Sequence, residues 1–252
     1  MKPIFALVSG KAYAGKDTVA DGLRDLLRDL EPATSSAPAR KVSRITFSDL
    51  ICVEADLGID AVRSGIFAGK RAAEIVADVT AAAHLDEDQA RFFYDTILDD
   101  LWSDRHLRAR KRTPAVRTLL VKLGKDWRPG GYFAEKTVKE CLRLRGEGRD
   151  VLAAGFRYPV EFQMAVDAGA MSLRLDVSPE EQDVRALARD GHVLTDEARN
   201  HSSETALDHV TDWDVRLRTD GLSPATVLAG VAPVVLSHAG YDTSWRAVRR
   251  PV

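Results

Sequence analysis

The sequence predicts an α/β protein with a parallel sheet of about five strands, flanked by helices and interrupted by a large helical insertion. Two observations lead to this prediction. Short apolar runs alternate with segments of helical periodicity near both ends of the chain, which is typical of strands joined by helical crossovers. Between them, residues 50–147 look helical almost throughout, which is far longer than one crossover requires.

The N-terminal part of the chain predicts a strand, a loop and a helix in that order. Residues 4–8 are an apolar run with β-branched members, and a glycine-containing loop follows at once. In "KDTVADGLRDLLRDL" apolar residues then recur at helical spacing, among them Val19, Leu23 and Leu27. After a Pro- and Ser-rich stretch at 31–40, which predicts a surface loop, "KVSRITF" alternates like a second strand.

The rest of the chain divides into a helical stretch and a return of the strand-and-helix alternation. Four helices, each apolar on one face, are predicted at 60–83, 86–110, 114–127 and 131–146. The later elements are a strand at 150–156, a helix ended by Gly169, a strand at 170–177, a strand in "DWDVRL" and a final helix after Pro224. The predicted parts are therefore a first core part (1–58), a helical insertion (59–147), a second core part (148–238) and a C-terminal tail (239–252).

Composition excludes several classes of protein. With 45% hydrophobic and 29% charged residues the chain has a globular composition, and a net charge of −2 argues against a surface built for nucleic acid. No apolar run is long enough to span a membrane. Cys52 and Cys141 are too few for a disulfide framework, so we expect two buried thiols in a reducing cytoplasm.

The most informative stretch is "GKAYAGKDT", which has the spacing of a phosphate-binding loop. Gly10 and Gly15 permit a backbone path in which N–H groups converge on phosphate oxygens, and Lys16 adds a positive charge. The alternative is a glycine-rich turn with only a structural use. The residues expected to contact the nucleotide, ATP, are Gly10, Lys11, Ala14, Gly15, Lys16, Asp17 and Thr18.

Asp17 stands where such loops have a hydroxyl that binds magnesium. A carboxylate is a hard oxygen ligand, so Asp17 is a candidate to hold Mg²⁺ directly or through a water. Alternatively, Asp17 only stabilises the N-terminus of the helix through the helix dipole. Thr18 could cap the helix or contact the α-phosphate.

The lack of one acidic residue indicates which kind of phosphoryl acceptor the site would use. "VLAAGF" lacks, at its strand end, the acidic residue that hydrolytic ATPases use to hold metal and orient water. An acceptor that is already a phosphate anion would not need this residue, because it attacks without losing a proton. The sequence therefore favours a kinase of phosphorylated small molecules.

A second candidate site is "GFRYPVE", at the carboxyl end of a predicted strand, where ligands of open parallel sheets bind. Arg157 could clamp a phosphate, and Phe156 and Tyr158 could stack on a base. Alternatively, the aromatic residues cap the core and Arg157 pairs with Glu161. Asp49, at the end of another predicted strand, could position an acceptor or a metal-bound water, or cap a helix.

A lid over the donor nucleotide is predicted near 178–200. Arg185 and Arg189 lie four residues apart and therefore on one helical face, from which they could neutralise charge in the transition state. The alternative is a solvated arginine face. The basic run at 105–113 is expected to be a solvated helix face as well.

Five motifs occur in a fixed order along the chain: "GKAYAGKDTVAD", "TPAVRTLLVKLG", "GFRYPVE", "HSSE" and "TDG" followed by a helix. In this order they resemble the bacteriophage-type deoxynucleoside monophosphate kinases. The resemblance spans almost the whole chain in separated patches, and the loop ending in Gly-Lys-Asp-Thr is the most specific of them. In two places the sequence differs from the pattern, with Gly155 in place of an Asp and Thr219 in place of an Asn.

This resemblance implies a P-loop kinase fold and transfer of the γ-phosphate of ATP, with Mg²⁺, to a deoxynucleoside monophosphate. It places Lys16 at the transferring phosphates, Arg117 and Arg157 near the acceptor, Glu161 near the acceptor base, and His201 and Glu204 beside the lid. The predicted catalytic residues are Lys16, Arg157, Arg185 and Arg189. The predicted substrate-binding residues are Asp49, Arg117, Arg157, Tyr158 and Glu161.

Two rival functions stay open at this point. One is a kinase of another small phosphorylated acceptor, such as a coenzyme precursor. The other is a noncatalytic nucleotide-binding switch that uses its helical insertion as a partner surface. The expected partners are small molecules, with neither nucleic acid nor membrane, and a homodimer is possible because the apolar helix faces could pack across a two-fold axis. The expected location is the cytoplasm, which would be the host cytoplasm for a phage-encoded protein.

Overall fold

The computed structural model describes residues 2–30, 40–111 and 113–240. The chain divides into two compact units, one formed by residues 1–47 and 134–252 and one by residues 48–133. The first is called the sheet unit here and the second the helical unit. The predicted loop at 31–40, except Arg40, and the predicted tail, except its first two residues, lie outside the described residues.

Five parallel strands form the centre of the sheet unit, as the sequence predicts. They are β1 (Phe5–Gly10), β2 (Val42–Thr46), β3 (Asp150–Ala154), β4 (Met171–Asp176) and β5 (Val215–Arg218). Their order across the sheet is β2-β3-β1-β4-β5, and every neighbouring pair is parallel. The carboxyl ends of all five strands therefore meet at one edge of the sheet.

Eleven helices occur among the described residues. They are α1 (Lys16–Arg28), α2 (Phe47–Phe67), α3 (Ala72–Ala83), α4 (Glu87–Ser103), α5 (Pro114–Val121), α6 (Tyr132–Gly146), α7 (Pro159–Asp167), α8 (Pro179–Asp190), α9 (Asp196–Asn200), α10 (Ser202–Thr205) and α11 (Pro224–His238). A 3₁₀ turn at Ala109–Lys111 and a π-helical turn at Lys122–Asp126 flank α5. None of these helices combines the length and apolar character that a membrane span needs.

The central strand β1 is covered by helices on both faces because its side chains alternate between two cores. Ala6 and Val8 pack in a cluster that also holds buried residues of α1 and α11. Phe5 and Leu7 pack in the opposite cluster, with buried residues of α6 and α7. All six residues of β1 are buried, which fixes the strand and therefore the start of the loop that follows it.

The helical unit differs from its predicted boundaries. The prediction of one helix at 60–83 is wrong, because α2 begins at Phe47 directly after β2 and ends at Phe67, and a turn with Gly69 at φ 67° separates it from α3. The predicted segment 86–110 ends as a helix at Ser103. The compact unit spans 48–133 instead of 59–147, because most of α6 belongs to the sheet unit.

Glycines on α2 explain how this helix packs so closely within its unit. A Cβ atom added to Gly58 would lie 2.6 Å from the ring of Phe93, and one added to Gly65 would lie 2.6 Å from Ile75. α2 therefore packs closely against these side chains, which would have to shift if either glycine were replaced by a larger residue. Both cysteines are buried and free, as predicted, and burial raises the pKa of the Cys141 thiol to about 12.

Candidate functional site

The loop between β1 and α1 has the backbone shape that its glycines allow. β1 ends at Gly10, where an added Cβ would lie 2.8 Å from the carbonyl oxygen of Leu175, so only glycine fits. α1 begins at Lys16, and Gly15 precedes it in the left-handed conformation at φ 87°. Tyr13 is also left-handed, at φ 61°, which is a strained conformation for a bulky residue. The loop therefore ends at the N-terminus of α1, and the first N–H groups of a helix have no partners within it and can bind an anion.

Lys16, the first residue of α1, is largely withdrawn from solvent. Its side chain is 12% exposed. Burial lowers the pKa of its ammonium, and the nearby Arg157 guanidinium lowers it further, whereas Asp17 and Glu204 act in the opposite direction. Lys16 and Arg157 thus place two positive charges close together beside the loop, and this is an arrangement suited to a multiply charged anion.

Asp17 lies in the first turn of α1 and is 60% exposed. Its carboxylate pairs with Arg44 of β2 at 2.5 Å and lies 3.7 Å from the Lys16 ammonium. Among the described residues no three His, Cys, Asp or Glu side chains form a metal-binding cluster. A single exposed carboxylate fits Mg²⁺ nonetheless, because this ion takes most of its ligands from phosphates and water in nucleotide sites.

Helix α8 is tied to the loop by a series of contacts. Gln182 donates to the carbonyl oxygen of Ala12 at 2.9 Å, and Arg185 donates to that of Tyr13 at 3.0 Å. The Tyr13 hydroxyl donates to Asp190 at 2.6 Å. The part of the predicted lid that carries the two arginines is therefore packed against the loop here.

Arg185 and Arg189 lie on one face of α8, as predicted, but their surroundings differ. Arg185 also donates to the hydroxyl and carbonyl oxygens of Thr219, at 3.1 and 2.5 Å, and pairs with Glu181. Arg189 is 68% exposed, pairs with Asp190, and lies over the Tyr13 ring with its guanidinium carbon 4.4 Å from the ring centroid. Arg185 thus joins three parts of the site, whereas Arg189 covers one of them from the solvent side.

A cavity of about 340 Å³ lies between the loop, α8 and the start of α11. It is large enough for one nucleoside. Its walls are formed by loop and α1 residues from Tyr13 to Val19, by Arg185 and Arg189, and by Thr219, Leu222, Pro224 and Val227. The last three were not anticipated as site residues, because apolar residues near a helix start carry no local signal of ligand binding.

Thr219 is 1% exposed and connects this cavity to the sheet. Its hydroxyl is within hydrogen-bond distance of the carbonyl oxygens of Asp176 and Ala14, at 3.1 and 3.4 Å. It follows β5, as Arg157 follows β3 and the loop follows β1. The site is therefore built at the carboxyl edge of the parallel sheet, where binding crevices of such sheets occur.

Arg157 pairs with Glu204 of α10, and not with Glu161, the partner considered in the sequence. Its Nη1 atom also donates to the carbonyl oxygen of Ser203 at 3.3 Å. Phe156 is 1% exposed and packs 5.8 Å from the Phe47 ring, so it belongs to the core. The hypothesis that Phe156 stacks on a base is therefore wrong, because the ring is not accessible to a ligand.

Glu161 is buried at the third position of α7, and its carboxylate accepts from backbone N–H groups at the start of the helix. Its Oε2 atom accepts hydrogen bonds from the backbone N–H groups of Arg157 and Tyr158, at 2.6 and 3.1 Å. Burial raises the pKa of the carboxyl to about 7, although both N–H donors favour the charged form. Glu161 thus fixes the backbone that carries Arg157. The Tyr158 hydroxyl lies 3.4 Å from that of Ser202.

The raised pKa of Glu161 leads to a prediction on stability. The folded protein binds this proton more tightly than the unfolded chain, so the stability that it contributes is present below about pH 4.5 and is lost as the pH rises to about 7. We expect the unfolding free energy of the wild type to fall by about 2 kcal/mol relative to that of Glu161→Gln over this range. Urea unfolding of both proteins at a series of pH values measures this difference, and parallel curves would contradict it.

Two predicted substrate-binding residues, Asp49 and Arg117, lie in the helical unit. Asp49 is in the first turn of α2, not at a strand end, and pairs with Arg110 at 2.6 Å. Arg117 is exposed on α5. The described arginines of the basic run at 105–113 are exposed. Arg108 pairs with Asp60, Arg110 pairs with Asp49, and Arg105 lies over the Phe67 ring. This run is not a continuous helix, because α4 ends at Ser103 and only a 3₁₀ turn follows.

Lys11 lies in the loop after β1, and Gly155 directly follows β3. The ammonium of Lys11 pairs with Asp208 at 2.7 Å, and neither residue lines the cavity. Gly155 has φ 84°, so the Asp that the family pattern has at this position would be strained in the present backbone.

The chain matches no protein-family model, and no curated protein is significantly similar to it. The resemblance to the phage-type kinases therefore stays a prediction from short motifs.

Proposed function

We propose that this protein has a P-loop kinase fold and is an ATP-dependent deoxynucleoside monophosphate kinase. The observation that carries the proposal is the convergence of the loop, Lys16 and Arg157 beside a nucleoside-sized cavity at the carboxyl edge of a parallel sheet. The loop and the N-terminus of α1 supply N–H donors for phosphate, and the two cations supply charge. The motifs that resemble the phage-type kinases supply the acceptor class.

In this proposal the donor nucleoside binds in the cavity lined by Thr219, Leu222 and Val227. Its phosphates extend along the loop toward Lys16. Asp17 would hold Mg²⁺ together with the phosphates and water, and the bound ion would supply charge neutralisation at the β and γ phosphates. Arg44 would still have Asp21 as a carboxylate partner, at 3.4 Å.

The transfer step needs no general base. A phosphate oxygen of the acceptor attacks the γ-phosphorus in line, the bond from γ-phosphorus to the bridging oxygen breaks, and ADP leaves with the electron pair. The acceptor oxygen is already an anion, which agrees with the absence of an acidic residue at the end of β3. Lys16 and Arg157 stabilise the charge that spreads over the transferring group.

The test is acceptor-dependent formation of ADP from MgATP. The acceptors are dAMP, dGMP, dCMP, dTMP and the four ribonucleotides. Turnover that requires a deoxynucleotide supports the proposal. Binding of ATP without turnover on any of these would overturn it, and would favour a kinase of another phosphorylated acceptor or a nucleotide-binding switch.

A further inference from the structure

Glu204 makes two contacts that no role assigned above explains. One carboxylate oxygen, Oε2, accepts a hydrogen bond from the backbone N–H of Ala12 in the loop at 2.6 Å. The other, Oε1, pairs with Nη1 of Arg157. The side chain is only 10% exposed, so both contacts are screened little by solvent. A single carboxylate therefore joins the loop after β1 to the arginine after β3.

The pair with Glu204 leaves one edge of the Arg157 guanidinium available to a ligand. Within the part of the chain that the structure describes, Nη1 is engaged by Glu204 and by the Ser203 carbonyl oxygen, and no hydrogen bond is made by Nε or Nη2. The Nε and Nη2 atoms form the side edge of a guanidinium, which binds two oxygens of a phosphate in parallel. The Arg157 side chain is 30% exposed, so a ligand can reach it from solvent.

The local charges give Glu204 a second effect. Lys16 and Arg157 repel each other, and the Glu204 carboxylate offsets this repulsion, since it contacts Arg157 and also acts on Lys16. Without it, the flexible Arg157 side chain would be expected to move away from Lys16. His201 and Ser203 fix the short helix that carries Glu204, because the His201 ring accepts from the Ser203 N–H at 3.3 Å.

We propose that Glu204 is a positioning residue, which holds Arg157 against the phosphate loop so that its Nε and Nη2 edge faces a phosphate of the substrates. This inference rests on the proposed function for the same site. It differs from a catalytic role, because Glu204 acts through Arg157 and touches no reacting atom. It also differs from a purely structural role, because its effect disappears once Arg157 is absent.

The experiment is a double-mutant cycle of Glu204→Gln and Arg157→Ala. Each protein is assayed for kcat and KM in acceptor-dependent ADP formation and for its affinity for inorganic tripolyphosphate by calorimetry. Glu204→Gln keeps an acceptor oxygen and the side-chain size but removes the charge. We expect it to lower kcat/KM about tenfold in the Arg157 background and to have little effect in the Arg157→Ala background.

A matched control is Glu140→Gln, which breaks an exposed pair with Arg143 on α6 and should leave every readout unchanged. Thermal unfolding checks that each variant is folded. Equal effects of Glu204→Gln with and without Arg157, or no effect in either background, would overturn the inference alone. A wild-type protein with neither turnover nor tripolyphosphate binding would overturn the proposed function and this inference together.

Discussion

Lys16→Ala is expected to lower the rate of phosphoryl transfer by about a thousandfold, with the protein still folded. The side chain is 12% exposed, and its ammonium lies beside Arg157 where no solvent cation can replace it well. Removing it takes away a positive charge from the position where negative charge increases during transfer. The measurement is ADP formation under saturating MgATP and acceptor, with thermal unfolding as the check on the fold.

A matched control separates this effect from a general loss of charge. Lys139→Ala removes a lysine that is 73% exposed and paired with Glu135 on α6, so transfer should stay at the wild-type rate. Lys16→Arg keeps the charge on a larger head group, and we expect partial activity from it. If Lys16→Ala retained transfer within about tenfold of the wild type, the role of Lys16 at the phosphates would be excluded.

The parts of the fold that the sequence predicts well are those in which local pattern and tertiary packing agree. β1 and β3 are mostly apolar, which is what a strand buried on both faces requires. The start and end of α2 are predicted wrongly from the sequence. This helix contains Gly58 and several β-branched residues, which disfavour a helix locally, but the close packing of Phe93 against Gly58 outweighs that preference.

The candidate site also has parts that the sequence predicts and parts that it does not. The phosphate loop is contiguous in sequence, so its spacing could be recognised directly, and Arg157 could be placed because it follows a predicted strand. The contacts of Glu204 with Ala12 and of Arg185 with Tyr13 join residues more than 150 positions apart. No local sequence pattern predicts such contacts. Sequence reasoning therefore finds the groups that bind phosphate but not the groups that hold them in place.

Arg185 shows how much depends on such long-range contacts, and its replacement gives the second large expected effect. Its guanidinium donates to the carbonyl oxygen of Tyr13 and to both oxygens of Thr219, and it lines the cavity proposed for the donor nucleoside. Without it, two partly buried carbonyl oxygens lose a charged donor, and the strained Tyr13 loses one of the contacts that hold it.

We therefore expect Arg185→Ala to raise the KM for ATP about 30- to 100-fold, with a smaller change in the KM for the acceptor. Arg189→Ala is the comparison on the same helix, since Arg189 is 68% exposed and makes one surface pair and one ring contact. Its effect on the KM for ATP should be only a few-fold, about what an exposed cation–π contact contributes. Steady-state kinetics with ATP and acceptor varied separately distinguishes the two. Equal effects of the two replacements would mean that α8 acts only through its overall charge, and that the network joining Arg185, Tyr13 and Thr219 does not shape the donor site.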